Sequence, residues 1–194
     1  MPCLCHWAKL NIYDFSTSFS SWLRHPRVSL LMAVCLGPQP QHFCLVMEHF
    51  QLGSLNHLLY KTETEMNLPE RVHLILDVAE GMTYLHGHFI VHGCLNPFSV
   101  LVYEKFRAKI GNLAFSQEDS KQKHENACSV HENWMAPEQL LHEPPNMVGD
   151  AYRLVFAALS TVNLRIIARG AYFKFRRRRG RLFMGASYSK GALI

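Results

Sequence analysis

The stretch EGMTYLHGHFIVHGCLNPFS, residues 80–99, decides how the chain is read. Its first part ends a helical pattern. Val72, Ile75, Leu76, Ala79, Met82 and Leu85 recur at helical spacing and are expected to form one apolar face. Pro69 suits the first turn of that helix, so the pattern predicts a helix from about Pro69 to His86, stopped by Gly87. Beyond it the period is lost. His92, Gly93, Cys94, Asn96 and Ser99 crowd into one short polar loop.

Working outward, Val100–Tyr103 and Ala108–Ile110 read as two short strands joined by a turn. Residues Ser116 to Asn133 are polar and aperiodic, as expected of a mobile loop. On the other side, VSLLMAVC (Val28 to Cys35) reads as a buried strand and FCLVM (Phe43 to Met47) as a second, with Gly37, Pro38 and Pro40 marking a turn between them. Gly53 breaks the chain before a short helix from Ser54 to Tyr60, with Ser54 as its N-cap. Met1 to Ser21 shows no clear period, and no internal repeat is present.

Composition sets bounds. The chain has 194 residues, with 48% hydrophobic and 18% charged, which suits one compact domain. No apolar run approaches the ~20 residues that cross a bilayer, and Met1 to Trp7 lacks the basic start of a secretory signal. The six cysteines are scattered and read as small buried thiols of a reducing compartment. Cys3, Cys5 and His6 lack a second ligand pair at finger spacing, so they are not read as a metal site. Charge is uneven: none of the fifteen acidic residues follows Asp150, while half of the twenty basic ones do. The body is therefore net −5 and the tail +10.

From about Leu23 to Phe156 the order of these motifs resembles a protein kinase, closest to the tyrosine-kinase and tyrosine-kinase-like groups. Leu23-Arg24-His25-Pro26 and VSLLMAVC resemble the passage from helix C into strand 4. FCLVMEHFQLGSL resembles strand 5, hinge and helix D, with Met47 as gatekeeper and Glu48, His49 and Phe50 as hinge. EGMTYLHGHFIVH resembles the end of helix E and the start of the catalytic loop, and WMAPE (Trp134 to Glu138) the close of the activation segment. Asp150 stands where the family's helix F aspartate anchors the catalytic loop. The implied fold class is α+β: a partial protein-kinase-like fold with a remnant of the N-lobe sheet and a mainly helical C-lobe, truncated at both ends. The implied division is an unassigned segment 1–22, a partial kinase-like domain 23–156 and a basic tail 157–194.

The chemistry departs from the resemblance at each working position. Phosphoryl transfer rests on a positioned carboxylate, metal ligands and a phosphate-binding lysine. Cys94 stands where the family has its catalytic aspartate, and a thiol of pKa ~8.5 is mostly protonated at neutral pH. Gly93 replaces an arginine, Asn96 a lysine and Ser99 a metal-binding asparagine. Asn112 replaces the metal-binding aspartate, although a hard dication favours carboxylate oxygen. No glycine-rich loop precedes Leu23; Lys9 is out of context, and Ser16 falls on the helix C glutamate position with Asp14 out of register.

Retained features are architectural. Leu31, His92 and Leu113 match hydrophobic spine positions, which also accounts for His92 without a metal. Met47, Glu48, Phe50 and Leu101 outline a vestigial adenine slot, or are simply core residues. The resemblance implies a pseudokinase that acts, if at all, as a protein-interaction or scaffolding module in signalling, with no cofactor and no metal. The alternatives are a divergent kinase using ATP and magnesium, or a truncated product without independent function, marginally stable because helices that cover the C-lobe are missing. The partner protein is not specified. The expected location is intracellular and cytoplasmic. The tail, with Arg176, Arg177, Arg178 and Arg179, reads as a nuclear-import, nucleic-acid or acidic-membrane patch, or as a disordered basic segment.

Overall fold

Asn67 and Glu70 start the longest helix. Asn67 Oδ1 accepts from Glu70 N at 2.9 Å and Glu70 Oε2 accepts from Asn67 N at 2.8 Å, so two donors that would lack helical partners cap each other. The computed structural model describes residues 22–35, 44–62, 64–118, 134–141, 143–162, 172–178 and 181–187. Their elements are β1 (Leu31–Cys35), β2 (Cys44–Met47), β3 (Gly53–Ser54), α1 (Leu55–Tyr60), α2 (Leu68–Gly87), β4 (Ile90–Val91), β5 (Val100–Tyr103), β6 (Arg107–Ile110), β7 (Gln117–Glu118), α3 (Pro137–Leu140), α4 (Met147–Val162), β8 (Tyr172–Arg178) and β9 (Arg181–Ser187). This is an α+β arrangement, a partial kinase-like fold of small sheets and few helices.

The sheets are small and antiparallel: β1 with β2, β3–β5–β6, β4 with β7, and β8 with β9. The core lies where α1 and α2 meet the β5–β6 pair, around Leu58, Leu74, Val78, Leu85, Val102 and Ile110. Ser54 caps α1 as expected, accepting from His57 N at 3.2 Å. Arg71 Nη1 donates to Thr161 O at 2.8 Å, tying the start of α2 to the end of α4.

The buried face of α2 differs from the expected one. It is formed by Leu74, Asp77, Val78, Gly81, Met82 and Leu85, while Val72 and Leu76 are exposed and Ile75 and Ala79 half-buried. Met82 and Leu85 lie on it as expected, but Leu74 and Val78 take the places expected of Val72, Ile75, Leu76 and Ala79, and the face also contains a carboxylate and a glycine. Asp77 Oδ2 accepts from Arg107 Nε at 2.8 Å and Ala108 N at 2.9 Å, Oδ1 accepts from Arg107 Nη2 at 2.8 Å, and Arg27 Nε, which donates to Glu80, lies 3.0 Å from Oδ1 as an ion pair. Three hydrogen bonds and a second cation satisfy a buried carboxylate that would otherwise be costly. Gly81 lets Arg27 pass close: a Cβ there would stand 2.7 Å from Arg27 O.

Two other expectations are corrected. Strand β1 is not buried: only Leu31 is, and Met32, Val34 and Cys35 are exposed. Its ribbon has two described strands, and the described core lies beneath β5 and β6 instead. The disordered reading of the tail also fails over β8 and β9, which pair from Tyr172↔Ser187 to Arg178↔Arg181. The signal was the period-two alternation Phe173-Lys174-Phe175-Arg176, followed by a glycine-containing connection at Arg179-Gly180. Helix α4 also continues past the end of the resemblance at Phe156, to Val162. Most of the expected loop, residues 119–133, lies outside the described residues, as do Cys3, Cys5, His6, Lys9, Asp14 and Ser16.

Candidate functional site

The polar loop of residues 92–99 is held from α4. Asp150, fully buried in the first turn of that helix, points its carboxylate at the loop backbone. Oδ2 accepts from His92 N at 2.7 Å and Oδ1 from Gly93 N at 2.9 Å. Oδ2 also meets His86 Nε2 at 3.1 Å, which ties in the last turn of α2. The assignment of Asp150 as an anchor therefore has its geometry. Gly93 adopts φ +74°, and a Cβ there would lie 2.8 Å from Phe115 O. In this backbone the position suits glycine, whatever residue the resemblance would put there.

His92 is wholly buried, with Nε2 3.1 Å from Gly111 O and Nδ1 accepting from Cys94 N at 3.3 Å. Those two bonds fit one neutral tautomer, with the proton on Nε2. Burial holds the imidazole below its ordinary pKa, against the opposing pull of Asp150. Leu31 and Leu113, the other spine positions, are also buried.

The second half of the loop closes on itself. Asn96 Nδ2 donates to Cys94 O at 2.9 Å, and Asn96 Oδ1 accepts from Phe98 N at 2.8 Å. Ser99 Oγ accepts from Asn96 N at 2.9 Å and donates to Asn96 O at 2.8 Å. Both side chains are fully buried, so their polar atoms are spent on the loop's own backbone. Cys94 is equally buried and its sulphur is engaged in a disulfide bond, so the expectation of six free thiols does not hold there. A disulfide sulphur has no proton to exchange. Asn112 is brought near the loop through Gly111, whose N donates to Ser99 O at 2.8 Å, yet its own side chain is exposed on a left-handed backbone (φ 57°).

The four adenine-slot positions are only partly gathered. Leu101 faces Lys109 across the β5–β6 pair, and its Cδ1 would stand 2.5 Å from a Cβ at Gly111. Lys109 Nζ in turn donates to Glu48 Oε2 at 2.6 Å, while Glu48 Oε1 accepts from Leu30 N at 2.6 Å. Met47 is paired with Leu31 and partly exposed, and Phe50 is half-buried at the turn into β3. Sequence reading missed the Glu48–Lys109 pair. Nothing in either segment marks it, since it appears only when the segment at residues 28–30 bridges Glu48 and β6. A small apolar cavity of about 10 Å³ lies elsewhere, lined by Leu74, Val78, Val100, Leu154 and Ala157.

Arg153 is the other residue that sequence reading passed over. It is fully buried in α4, and its Nε donates to Gln139 Oε1 at 3.0 Å, but Nη1 and Nη2 have no hydrogen-bond partner among the described residues. Burial lowers its pKa to about 10, partly opposed by Asp150. Glutamine at 139 also braces the WMAPE segment, its Oε1 accepting from Ala136 N at 3.2 Å. Among the described residues no group of three or more His, Cys, Asp and Glu could hold a metal ion. No helix among them is long and apolar enough to cross a membrane.

Known proteins resemble this chain in sequence. A family model described as protein tyrosine and serine/threonine kinase matches residues 14–154. The inactive serine/threonine-protein kinase TEX14 of Mus musculus is 29% identical over 164 residues, covering 78% of this chain and 11% of the relative. The serine/threonine-protein kinase CTR1 of Arabidopsis thaliana is 34% identical over 152 residues, covering 76% and 18%. The probable serine/threonine-protein kinase drkC of Dictyostelium discoideum is 29% identical over 148 residues, covering 74% and 20%. The chain thus spans a fifth or less of the length of each of these relatives.

Proposed function

Because the chain belongs to the protein tyrosine and serine/threonine kinase family, we propose that it is a pseudokinase segment of the tyrosine-kinase-like type, which keeps the family's frame for docking a protein partner and transfers no phosphate. The observation that carries this reading is the closed second half of the loop: Asn96 and Ser99 are buried, and each bonds the other's residue or its neighbours. Magnesium nucleotide requires charged oxygen donors. Ser99 has its hydroxyl committed to Asn96, and Asn112 has no charge where the family has a carboxylate. The residues present do not fit that group. The similarity to proteins named inactive kinases supports the same reading.

The test is incorporation of radiolabel from ATP into the chain and a generic protein substrate, with a heat-killed control. No incorporation is expected. A general base alone is worth ~10²–10⁴ in rate, and here the metal donors are altered too. Melting with millimolar magnesium-ATP is expected to show little or no shift, since stabilisation follows RT ln(1 + [L]/Kd). The similarity to proteins named kinases favours a second reading, a divergent enzyme. Incorporation above the control and lost in Asn112→Ala, or a magnesium-dependent shift of several degrees, would establish it. Under that reading Met47, Glu48, Phe50 and Leu101 hold the adenine.

A further inference from the structure

Helix α4 presents its two faces the wrong way round for a lone surface helix. Its buried face carries Asp150, Arg153, Ser160 and Thr161 beside Gly149 and Ala157. Val148, Val155, Leu159 and Val162 stay between 47% and 75% exposed. A surface helix ordinarily turns its apolar stripe to the core and its polar residues to water. The inward polar groups have local work. Asp150 holds the 92–99 loop, Arg153 meets Gln139, and the hydroxyls of Ser160 and Thr161 donate to Phe156 O at 2.7 Å and Ala157 O at 2.8 Å. The outward apolar stripe is left facing water.

The stripe has a spacing of its own. Val148, Tyr152, Val155, Leu159 and Val162 follow one another at intervals of four and three, the alternation of a heptad's d and a positions. Tyr152 is half-buried, its ring stacked on Phe156 with centroids 4.6 Å apart. Asp150 and Arg153 are the charged residues of the helix and both are buried, so its outward face carries no charge. That composition selects the occupant. Nucleic acid and anionic membranes are met with cations, and α4 turns none outward. An uncharged face of heptad spacing is complemented by the same face of a second copy. Knobs of one helix enter holes of the other, and no like charges of α4 meet across the two-fold.

We propose that a second copy of this chain docks on the outward face of α4, forming a two-fold helix pair along Val148, Tyr152, Val155, Leu159 and Val162. The helix is ordered in each copy beforehand, so association carries no cost of nucleating it. A seam ~24 Å long and ~10 Å wide is well under the roughly 800 Å² that each partner gives to a standard interface. The dimer is accordingly weak and concentration-dependent. It forms independently of any nucleotide chemistry in the loop at residues 92–99.

The full chain is followed by sedimentation velocity from roughly 1 to 100 µM. The wild type is expected to pass from monomer to dimer within that range. One variant carries Val155→Glu with Leu159→Glu, another Val155→Lys with Leu159→Lys. Each loses apolar burial at the centre of the seam and brings like charges together, so dimerisation is expected to weaken at least ~100-fold. Both positions are exposed in the single chain, so each variant keeps its fold, which near-UV circular dichroism checks. Mixed in equal amounts, the two variants are expected to associate more strongly than either alone, because opposite charges then face each other. Loss of fold could not produce that recovery. A wild type that stays monomeric to the top of the range overturns the proposal, the stripe then being covered by the chain's own residues or by a different protein. Dimers that persist in both variants overturn it as well, since they use another surface. So does a mixture no more associated than its components.

Discussion

The two halves of the 92–99 loop hold their shape by different means. Residues 92 and 93 are held from outside, through backbone N–H groups that reach Asp150 on α4. Residues 94–99 are shaped largely from within, by the side chains of Asn96 and Ser99, with outside ties at the Cys94 disulfide, Pro97 O and Ser99 O. Every non-proline residue offers a backbone N–H, so the anchoring bonds themselves ask nothing of these two side chains, whose identities are set by other contacts: the burial of His92 and the positive φ of Gly93. The second half occupies the positions where the family places its reacting groups, and there side-chain identity is everything. The frame of the loop and the side chains it carries are therefore set by separate contacts.

The strongest way to break this contrast is at the anchor. Asp150→Ala removes the acceptor for two buried N–H groups and the counter-charge near His86 and Arg153. An unsatisfied buried donor costs ~1–3 kcal/mol, and breaking a buried charge cluster ~3–5 kcal/mol. The expected loss is about 4 kcal/mol, against ~5–15 kcal/mol for a whole domain. Urea unfolding followed by near-UV circular dichroism should show the variant largely unfolded or its midpoint sharply lowered. A midpoint near that of the wild type would mean that the anchor is dispensable.

Next in size is a gain. Arg153 keeps its charge buried with two nitrogens unpartnered among the described residues, and Arg153→Met removes that burden at similar volume. The expected stabilisation at neutral pH is ~1–4 kcal/mol. The unfolded arginine holds its proton far above pH 10, whereas the folded one releases it at about 10. The burden is thus present in full below about pH 10 and fades as pH rises beyond it. The difference between variant and wild type should shrink between neutral pH and the region above 10. A variant less stable than wild type at neutral pH would assign Arg153 a supporting role instead.

Much of this architecture was legible, and the misses share a cause. The Ser54 cap, the Asp150 anchor and the strands at 100–103 and 107–110 follow from local residue types or from motif order. The buried face of α2 did so only in part: Met82 and Leu85 were read, Leu74 and Val78 were passed over because a second apolar stripe runs beside them, and Asp77 and Gly81 carry no apolar signal, their partners Arg107 and Arg27 being distant in sequence. The Glu48–Lys109 pair and the buried Arg153 are likewise visible only once strands and helices meet. At the candidate site the identities at 94, 96, 99 and 112 could be read directly. That Asn96 and Ser99 turn inward could not, since the same residues on an open loop would face solvent.

The second half of the loop is broken more gently. Asn96→Ala leaves Cys94 O and Phe98 N without their side-chain partner. Because only local bonds are lost, the expected cost is ~1–3 kcal/mol, below that of Asp150→Ala. Urea midpoints of the two variants, measured side by side, check the ranking. A reversed order would place the structural weight in the half that closes on itself.

The smallest effect is a slope. His92 has Asp150, Arg153 and His86 as its charged or titratable neighbours, and burial keeps its folded pKa below the ordinary value. The unfolded chain takes up a proton as pH falls through ~6.5, while the folded chain refuses it until lower pH. Stability contributed by neutral His92 is therefore full above that value and is lost on acidification, by up to ~1.4 kcal/mol per pH unit until the folded group also titrates. His92→Gln loses the ring and the bond from Nε2, so it starts from lower stability, but it has no proton to take up. Urea midpoints of both proteins at pH 7.5, 6.5 and 5.5, all roughly spanning the ordinary histidine range, separate the two contributions. The gap between wild type and variant should narrow as pH falls, because only the wild type carries this group's titration. Curves that stay parallel would mean that His92 is protonated in the folded chain as readily as in the unfolded one, and the two hydrogen bonds to Gly111 O and from Cys94 N could not then both survive acidification.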